Sequence, residues 1–382
     1  MTATATASRD GTTTTAPAPI ALWVVPGADL GGVARHVLDV ARAGLPGHRL
    51  VVLCPEGPLA ERLRELRTAV VTGAFGTQAG PVASEATLRR VIRTLQPAVV
   101  HSHLSFADVV AAATLIRIRA ERRVGLWSRP VPLLVTTEHG IARDDAVYHE
   151  SPRRARTMAH VHRERLKAFD AVLAVSEATH AAMVEKWRAR GVRVVHNGVD
   201  RPAHPRTRTT DPEAPHLLSL ARLAPEKDLP TLLRAFARIV EGRPGATLEI
   251  AGTGALGPEL EALAIELGVV DRVRFPGFVD AQEAMARADL VVQLSVWENC
   301  SYTLLDAVAH GVPVVATKVG GNPEILPESA LASFGDVEAV AESIEHQLDA
   351  GGAPELPLLW PDVAAMAGRI AQQYRRAAGG RT

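Results

Sequence analysis

The sequence predicts an α/β protein built from two Rossmann-like domains that face each other across a cleft. Three observations carry that expectation: a length of 382 residues, short β-branched runs alternating with amphipathic stretches in both halves, and one aperiodic, proline-bearing segment between them. A chain of this length exceeds one ordinary core and fits two domains of usual size. Strand and helix patterns that alternate along the chain point to parallel sheets with helices on both faces.

In the first half, β-branched runs at 20–25, 49–54, 98–103, 133–137, 171–176 and 192–196 are separated by helical patterns such as 33–44, 58–67, 86–96 and 177–191. The run Ala171-Val172-Leu173-Ala174-Val175 is apolar without a break, as a strand covered on both faces requires. Four prolines and no periodicity mark 201–215 as a linker. Strand patterns then recur at 216–221, 247–251, 273–276, 290–295, 312–317 and 330–333, with helices at 229–240, 258–267, 302–310 and 337–348. The expected organisation is therefore a disordered tail over 1–19, a Rossmann-like domain over 20–200, the linker over 201–215, a second Rossmann-like domain over 216–352, and a final helix within 353–382 that packs back toward the first domain.

With 47% hydrophobic and 22% charged residues, the composition is that of a folded globular chain. The Thr- and Ala-rich first nineteen residues lack a signal-peptide core, and no stretch reaches the roughly 20 apolar residues that span a bilayer. Two cysteines, Cys54 and Cys300, make no disulfide framework and fit a reducing cytoplasm, the predicted location. A formal net charge of zero argues against nucleic acid as a partner. The charge is nevertheless uneven: residues 1–200 carry 26 Lys+Arg against 18 Asp+Glu, and residues 201–382 carry 16 against 24. Basic clusters at Arg117, Arg119, Arg122 and Arg123, and at Arg153, Arg154, Arg156, Arg163, Arg165 and Lys167, suit peripheral contact with the inner face of an acidic membrane, or else a solvated helix face with attraction between domains.

The densest chemical signal is Glu298-Asn299-Cys300-Ser301-Tyr302, with Asp306 eight positions beyond Glu298 and a Gly320-Gly321 turn after the following strand. One carboxylate in a loop after a strand and a second inside the next helix point to one crevice suited to a polyhydroxylated ligand. Arg222 and Lys227 lie five residues apart where a strand ends and a helix begins, which makes a natural diphosphate clamp. Gly31-Gly32 connects the first strand to its helix and lets backbone approach a phosphate or sugar closely.

Taken in order, these motifs resemble the family 4 glycosyltransferases of the GT-B fold. The resemblance spans roughly 20–350 and rests on Gly31-Gly32, Thr137-Glu138-His139-Gly140, Val175-Ser176-Glu177, Asn197-Gly198-Val199-Asp200, Arg222…Glu226-Lys227, Gly252-Thr253-Gly254, Phe275-Pro276-Gly277, the acidic pair and Gly320-Gly321. It implies a retaining, metal-independent hexosyltransferase, its nucleotide-sugar donor held by the C-terminal domain and its sugar-bearing or small-molecule acceptor by the N-terminal one. It also implies no cofactor, since the nucleotide sugar is a substrate. Arg222 and Lys227 would hold the donor diphosphate, with Gly31 and Gly32 nearby. Glu298 and the loop behind it, Asn299, Cys300, Ser301 and Tyr302, would meet the transferred sugar. Asp306 would bind the ribose, the backbone of Gly277, Phe278 and Val279 the base, and His139 the sugar from the opposite domain. Two departures stand out: the second acid is Asp306 where the family usually has glutamate, and Asn299-Cys300-Ser301 replaces the commoner Gly-Phe-Gly. The chain contains no Asp-x-Asp, the mark of a metal-dependent alternative.

Other readings are weaker. Gly252-Thr253-Gly254-Ala255-Leu256-Gly257 satisfies a dinucleotide fingerprint, but the acid that should follow, Asp280, lies beyond the usual spacing for a nicotinamide oxidoreductase. An epimerase or phosphorylase on the same fold is the nearer alternative. His101 and His103 share a strand face without a third metal ligand at a suggestive spacing, and Cys300 has no base beside it in the sequence.

Overall fold

The computed structural model describes residues 17–141, 152–202 and 211–380. The first half contributes the strands β1 Ile20–Val24, β2 Arg49–Cys54, β3 Ala69–Thr72, β4 Val99–His103, β5 Leu133–Glu138, β6 Ala171–Ala174 and β7 Val192–Val194. Its helices are α1 Gly32–Ala43, α2 Pro58–Glu65, α3 Gly80–Leu95, α4 Ser105–Arg123, α5 Pro152–Leu166 and α6 Glu177–Trp187. The second half contributes β8 His216–Leu220, β9 Thr247–Ala251, β10 Val273–Gly277, β11 Leu290–Gln293, β12 Val314–Thr317 and β13 Leu331–Ala332. Between and after these strands run α7 Leu229–Gly242, α8 Gly257–Glu266, α9 Ala281–Arg287, α10 Tyr302–Ala309, α11 Asn322–Ile325, α12 Val337–Ala350 and α13 Val363–Gly379.

The strands form two sheets, ordered β3-β2-β1-β4-β5-β6-β7 and β10-β9-β8-β11-β12-β13. Every pairing is parallel. Strand order reverses at β1/β4 in one sheet and at β8/β11 in the other, and loops leaving such a switch point open a crevice at the carboxyl ends of the strands. The expected layered α/β architecture is thus observed. The central strand β1 is almost wholly buried, which explains its unbroken apolar character. The additional strand, β3, is a partly exposed four-residue edge, too short to declare a period.

Helix α13 packs on the first sheet rather than the second, placing Val363, Met366, Ile370 and Tyr374 among Ala21, Trp23 and Val37. The Tyr374 hydroxyl accepts from Trp23 Nε1 at 2.9 Å and lies 2.6 Å from His101 Nδ1, while His101 Nε2 meets Thr137 Oγ1 at 2.8 Å. The chain reaches this helix by passing close to Gly198, where a Cβ would come within 2.5 Å of the Asp362 carbonyl oxygen.

Several members of the basic clusters are paired internally. Arg117 pairs with Glu85 and Glu121, and Arg119 with the Ala168 carbonyl and Asp170. Arg165 departs from its expected place on an exposed patch: it is buried, bonded to Asp108 and, at 3.0 Å, to Glu138, with its guanidinium over Trp187. A charge taken out of water needs such partners. Arg153, Arg154 and Arg156 lie outside the described side chains. Among the described residues, no helix is long and apolar enough to cross a membrane.

Beneath the crevice Trp23 stacks on His36 at 5.7 Å between ring centroids and lies against His101 and His103. Burial pulls His36 down to about 4 and takes His101 and His103 well below the usual histidine range, so all three are neutral near pH 7. In the unfolded chain each would take a proton near pH 6.5, so stability is present above that pH and is lost as pH falls from there toward 4. His36 alone should remove about 2 kcal/mol of unfolding free energy between pH 7 and pH 5. Urea unfolding at the two pH values should show a smaller difference in His36→Gln than in the parent; equal differences would show that His36 ionises in the folded protein as it does in water.

Candidate functional site

The crevice is lined by loops that follow β1, β5, β8, β11 and β12. After β8 the chain makes a short turn at Pro225–Lys227 and enters α7 through Asp228, whose φ of 43° is left-handed. This turn delivers Lys227 Nζ to Glu298 Oε2 at 3.0 Å and Ser295 Oγ at 3.1 Å. Glu298 Oε2 also accepts from Gln293 Nε2 and Ser295 Oγ, each at 3.2 Å. The Val296 N–H donates to the Glu226 carbonyl at 2.9 Å and ties the two loops together. Lys227 and Glu298 therefore form one fixed, half-buried unit.

The Gly320-Gly321 turn explains how Glu298 is held. Gly320 has a φ of 52°, and a Cβ on it would overlap the Glu298 carbonyl; a Cβ on Gly321 would overlap the Asn299 carbonyl. Only glycine lets this turn pass beneath the acidic loop. Gly252 and Gly254 have a similar purpose, since a Cβ on either would strike the backbone at Ala221 or Leu223. Close packing against the loop that carries Arg222 accounts for the apparent dinucleotide fingerprint. Arg222 itself stays 72% exposed, pairs with Glu226 and does not join Lys227.

The other expected residues divide. Asn299 Oδ1 accepts from the Ile141 N–H at 3.1 Å and the Thr179 hydroxyl at 2.9 Å, so this side chain links the two domains. Ser301 caps α10 and donates to Gln293, and buried Cys300 has a thiol pushed up to about 12 by burial, unsuited to nucleophilic attack. Tyr302 lies beneath Arg35, whose guanidinium carbon is 5.1 Å from the ring centroid. Gly277 takes a left-handed φ of 77°, Phe278 is 78% exposed, and Val279 packs on the second domain's core. At Gly31, the N-cap of α1, and at Gly32 a Cβ would meet nothing within 4 Å, so the helix N-terminus presents open backbone.

Two residues stand differently from expectation. Asp306 does not face the cleft unpaired: Arg35 donates to both its oxygens, at 2.9 and 3.1 Å. His139 Nε2 lies 2.9 Å from His103 Nδ1, and burial keeps His139 neutral. The third partner for His103 that sequence spacing did not reveal is supplied twice over, by His139 and by His36 from α1. Ring nitrogens of His36, His103 and His139 lie within 4.8 Å of one another, the group among the described residues that could hold a metal ion. The sequence also gave no sign of Glu324 as a cross-domain cap: it accepts from the Glu177 and Ala178 N–H groups at the start of α6, each at 2.9 Å, and contacts His196 Nε2 at 3.0 Å.

Comparison with known proteins fits this geometry. A model described as Glycosyltransferase Family 4 matches residues 30–201, and one described as Glycosyl transferases group 1 matches residues 214–350. An uncharacterised glycosyltransferase of Methanocaldococcus jannaschii is 41% identical over 113 residues, 29% of this chain and 29% of that relative's length. A glycogen synthase of Mycobacterium tuberculosis is 28% identical over 86% of this chain and 84% of its own. The structure of Anabaena HepE in complex with UDP and glucose superposes with a TM-score of 0.74 at 21% identity, covering 94% of this chain and 100% of that one. The two family models together span most of the sequence and meet at the linker, and the chain belongs to the family 4 glycosyltransferases of the GT-B fold.

Proposed function

We propose that the chain is a retaining, metal-independent hexosyltransferase using a nucleotide sugar, with UDP the first nucleotide to test, and a glycan, lipid-linked or small-molecule acceptor. The observation that carries this reading is Lys227, fixed 3.0 Å from Glu298 at the carboxyl end of the second sheet. A HepE structure in complex with UDP-glucose, at 20% identity, supports a nucleotide-sugar donor. When the bond from the sugar to the diphosphate breaks, its electron pair goes to the diphosphate, and Lys227 with the solvent-facing Arg222 offsets the growing charge. The acceptor oxygen bonds to the same face of the sugar, and its proton passes to the departing diphosphate. Glu298 and His139 hold the sugar from opposite domains.

Transfer from a panel of UDP-, GDP-, ADP- and dTDP-sugars, with the anomeric configuration of the product read by NMR, tests the reading; an inverted product or hydrolysis alone with every acceptor class would refute it. Activity should persist in excess EDTA, whereas complete loss restored by Mg²⁺, Mn²⁺ or Zn²⁺ would transfer the charge-offsetting role to a metal. Lys227→Ala should lower kcat/KM roughly a hundredfold or more, because its contact strengthens as charge develops. A variant within threefold of the parent removes Lys227 from the site. Asp306→Ala should raise donor KM about ten- to a hundredfold with little change in kcat, since a ribose contact binds ground state and transition state alike. Glu298→Ala should depress kcat as well. Loss of kcat in Asp306→Ala at unchanged KM would assign that carboxylate to the chemistry instead.

A further inference from the structure

Beneath the crevice three histidines from three elements converge: His36 on α1, His103 at the end of β4 and His139 just past β5, with one ring nitrogen of each within 4.8 Å of the others. The hydrogen bonds around them fix which nitrogens are free. Asn197 Nδ2 donates to the Cys300 carbonyl at 3.0 Å, which turns its Oδ1 toward His36 Nδ1 at 3.1 Å; the Tyr302 hydroxyl is more distant, at 3.5 Å. His36 Nδ1 therefore carries the proton and Nε2 the lone pair, and that buried Nε2 has no hydrogen-bond partner among the described residues. His103 Nδ1 shares one proton with His139 Nε2 at 2.9 Å, and His103 Nε2 is likewise buried without a partner. Two orphaned ring nitrogens in one buried cluster call for an explanation. His101, which stacks on His103, is not part of the group: the Tyr374 hydroxyl, having accepted from Trp23, donates to its Nδ1, and its Nε2 donates to Thr137.

We propose that His36, His103 and His139 form a site for one divalent transition-metal ion of the zinc class, entered from the cleft, and that filling it inhibits transfer. Three imidazoles without a carboxylate suit Zn²⁺ and not the hard ions Mg²⁺ and Ca²⁺. Zn–N bonds of about 2.0–2.1 Å on a tetrahedron put ligand nitrogens roughly 3.3 Å apart, so closing in from within 4.8 Å takes only small ring shifts. The outer contacts of a metal ligand are already in place. Asn197 holds the tautomer of His36 that ligates through Nε2, and Trp23 packs against His36 and His103. His139 is the half-buried member, so the ion enters on its side, and three protein ligands leave the fourth position open to the cleft. The hydrogen bond between His103 and His139 then gives way to bonds with the ion. The inhibition rests on the reading of His139 as a sugar contact: a metal-bound His139 is withdrawn from the sugar. A dipositive ion also opposes the positive charge that the sugar ring gains as its bond to the diphosphate breaks.

The test uses the full chain without an added histidine tag, stripped with EDTA and dialysed, and Zn²⁺ alone as the probe. Calorimetry should give one Zn²⁺ per chain with a dissociation constant of about 1 μM or below, and Mg²⁺ should not compete. Co²⁺ in its place should give the strong visible absorption of tetrahedral coordination. Asn197→Ala should weaken Zn²⁺ about ten- to a hundredfold, the usual cost of losing an outer partner, and His36→Gln should weaken it further. If His36→Gln fails to melt cooperatively, His139→Ala takes its place. In the transfer assay Zn²⁺ should stop the parent near its dissociation constant, and His36→Gln, measured against its own metal-free rate, should need roughly tenfold more or beyond. A parent that binds no Zn²⁺, or binding undiminished in His36→Gln or His139→Ala, overturns the site. One-to-one binding with transfer unimpaired or raised overturns the inhibition, and with it the place of His139 at the sugar. Absence of transfer from every nucleotide sugar refutes the proposed function instead, and calorimetry still decides the metal site.

Discussion

The arrangement of the cleft depends on backbone groups of one domain finding hydrogen-bond partners in side chains of the other. The first N–H groups of a helix have no partner within it. In α6 those of Glu177 and Ala178 are satisfied by Glu324, which arrives from the second domain on the turn after β12. Asn299 accepts from the Ile141 N–H just beyond His139, and Asn197 donates to the Cys300 carbonyl at 3.0 Å. The bonds of Asn299 and Asn197 each join a loop of one domain to a loop that carries a candidate site residue in the other.

The same logic sets what the site residues can do. Asn299 and Ser301, the polar side chains nearest Glu298 in sequence, have their oxygens engaged by protein partners, so the polar surface left toward the cleft is narrow. It includes the Lys227–Glu298 unit, the exposed Arg222, the open start of α1, the neutral His139 and the Arg35–Asp306 pair. A lysine braced by a carboxylate and a serine does not need to reorganise when negative charge appears beside it, the condition under which an electrostatic contact contributes most to rate.

Much of this was legible in the sequence because a parallel sheet writes itself clearly. Strands such as Ala171–Ala174 are apolar on both faces, and glycines mark the loop crossings that follow strands. The edge strand Ala69–Thr72 left no such trace, since an edge that is half exposed need not be uniformly apolar. At the site, sequence spacing brought Lys227 near Glu298 because both sit where a strand ends. It could not show that Asn299 and Glu324 face the other domain, since partners more than a hundred positions away are set by how the domains meet. Arg35 was within reach: Arg35, Asp39 and Arg42 form an i, i+4 and i, i+3 ladder on a helix whose remaining face is buried, an unusual charge density for such a helix.

The uneven charge of the two halves takes on a local meaning here. An excess of cations before residue 201 and of anions after it could act only as a diffuse attraction, screened within about 8 Å at physiological salt. The structure converts part of it into a short contact in which the N-terminal half supplies the basic group and the C-terminal half the acid, Arg35 with Asp306, and His196 contacts Glu324 across the same interface. Both pairs are at least partly shielded from solvent, where screening is weak and a misplaced partner is costly. Within the acidic half, cations such as Arg238, Arg243, Arg287 and Lys318 pair with acids of the same half, as Lys227 does with Glu298. Lys227, held against Glu298 where β8 and β11 end, is with the exposed Arg222 the cation to which the proposed function gives the donor diphosphate.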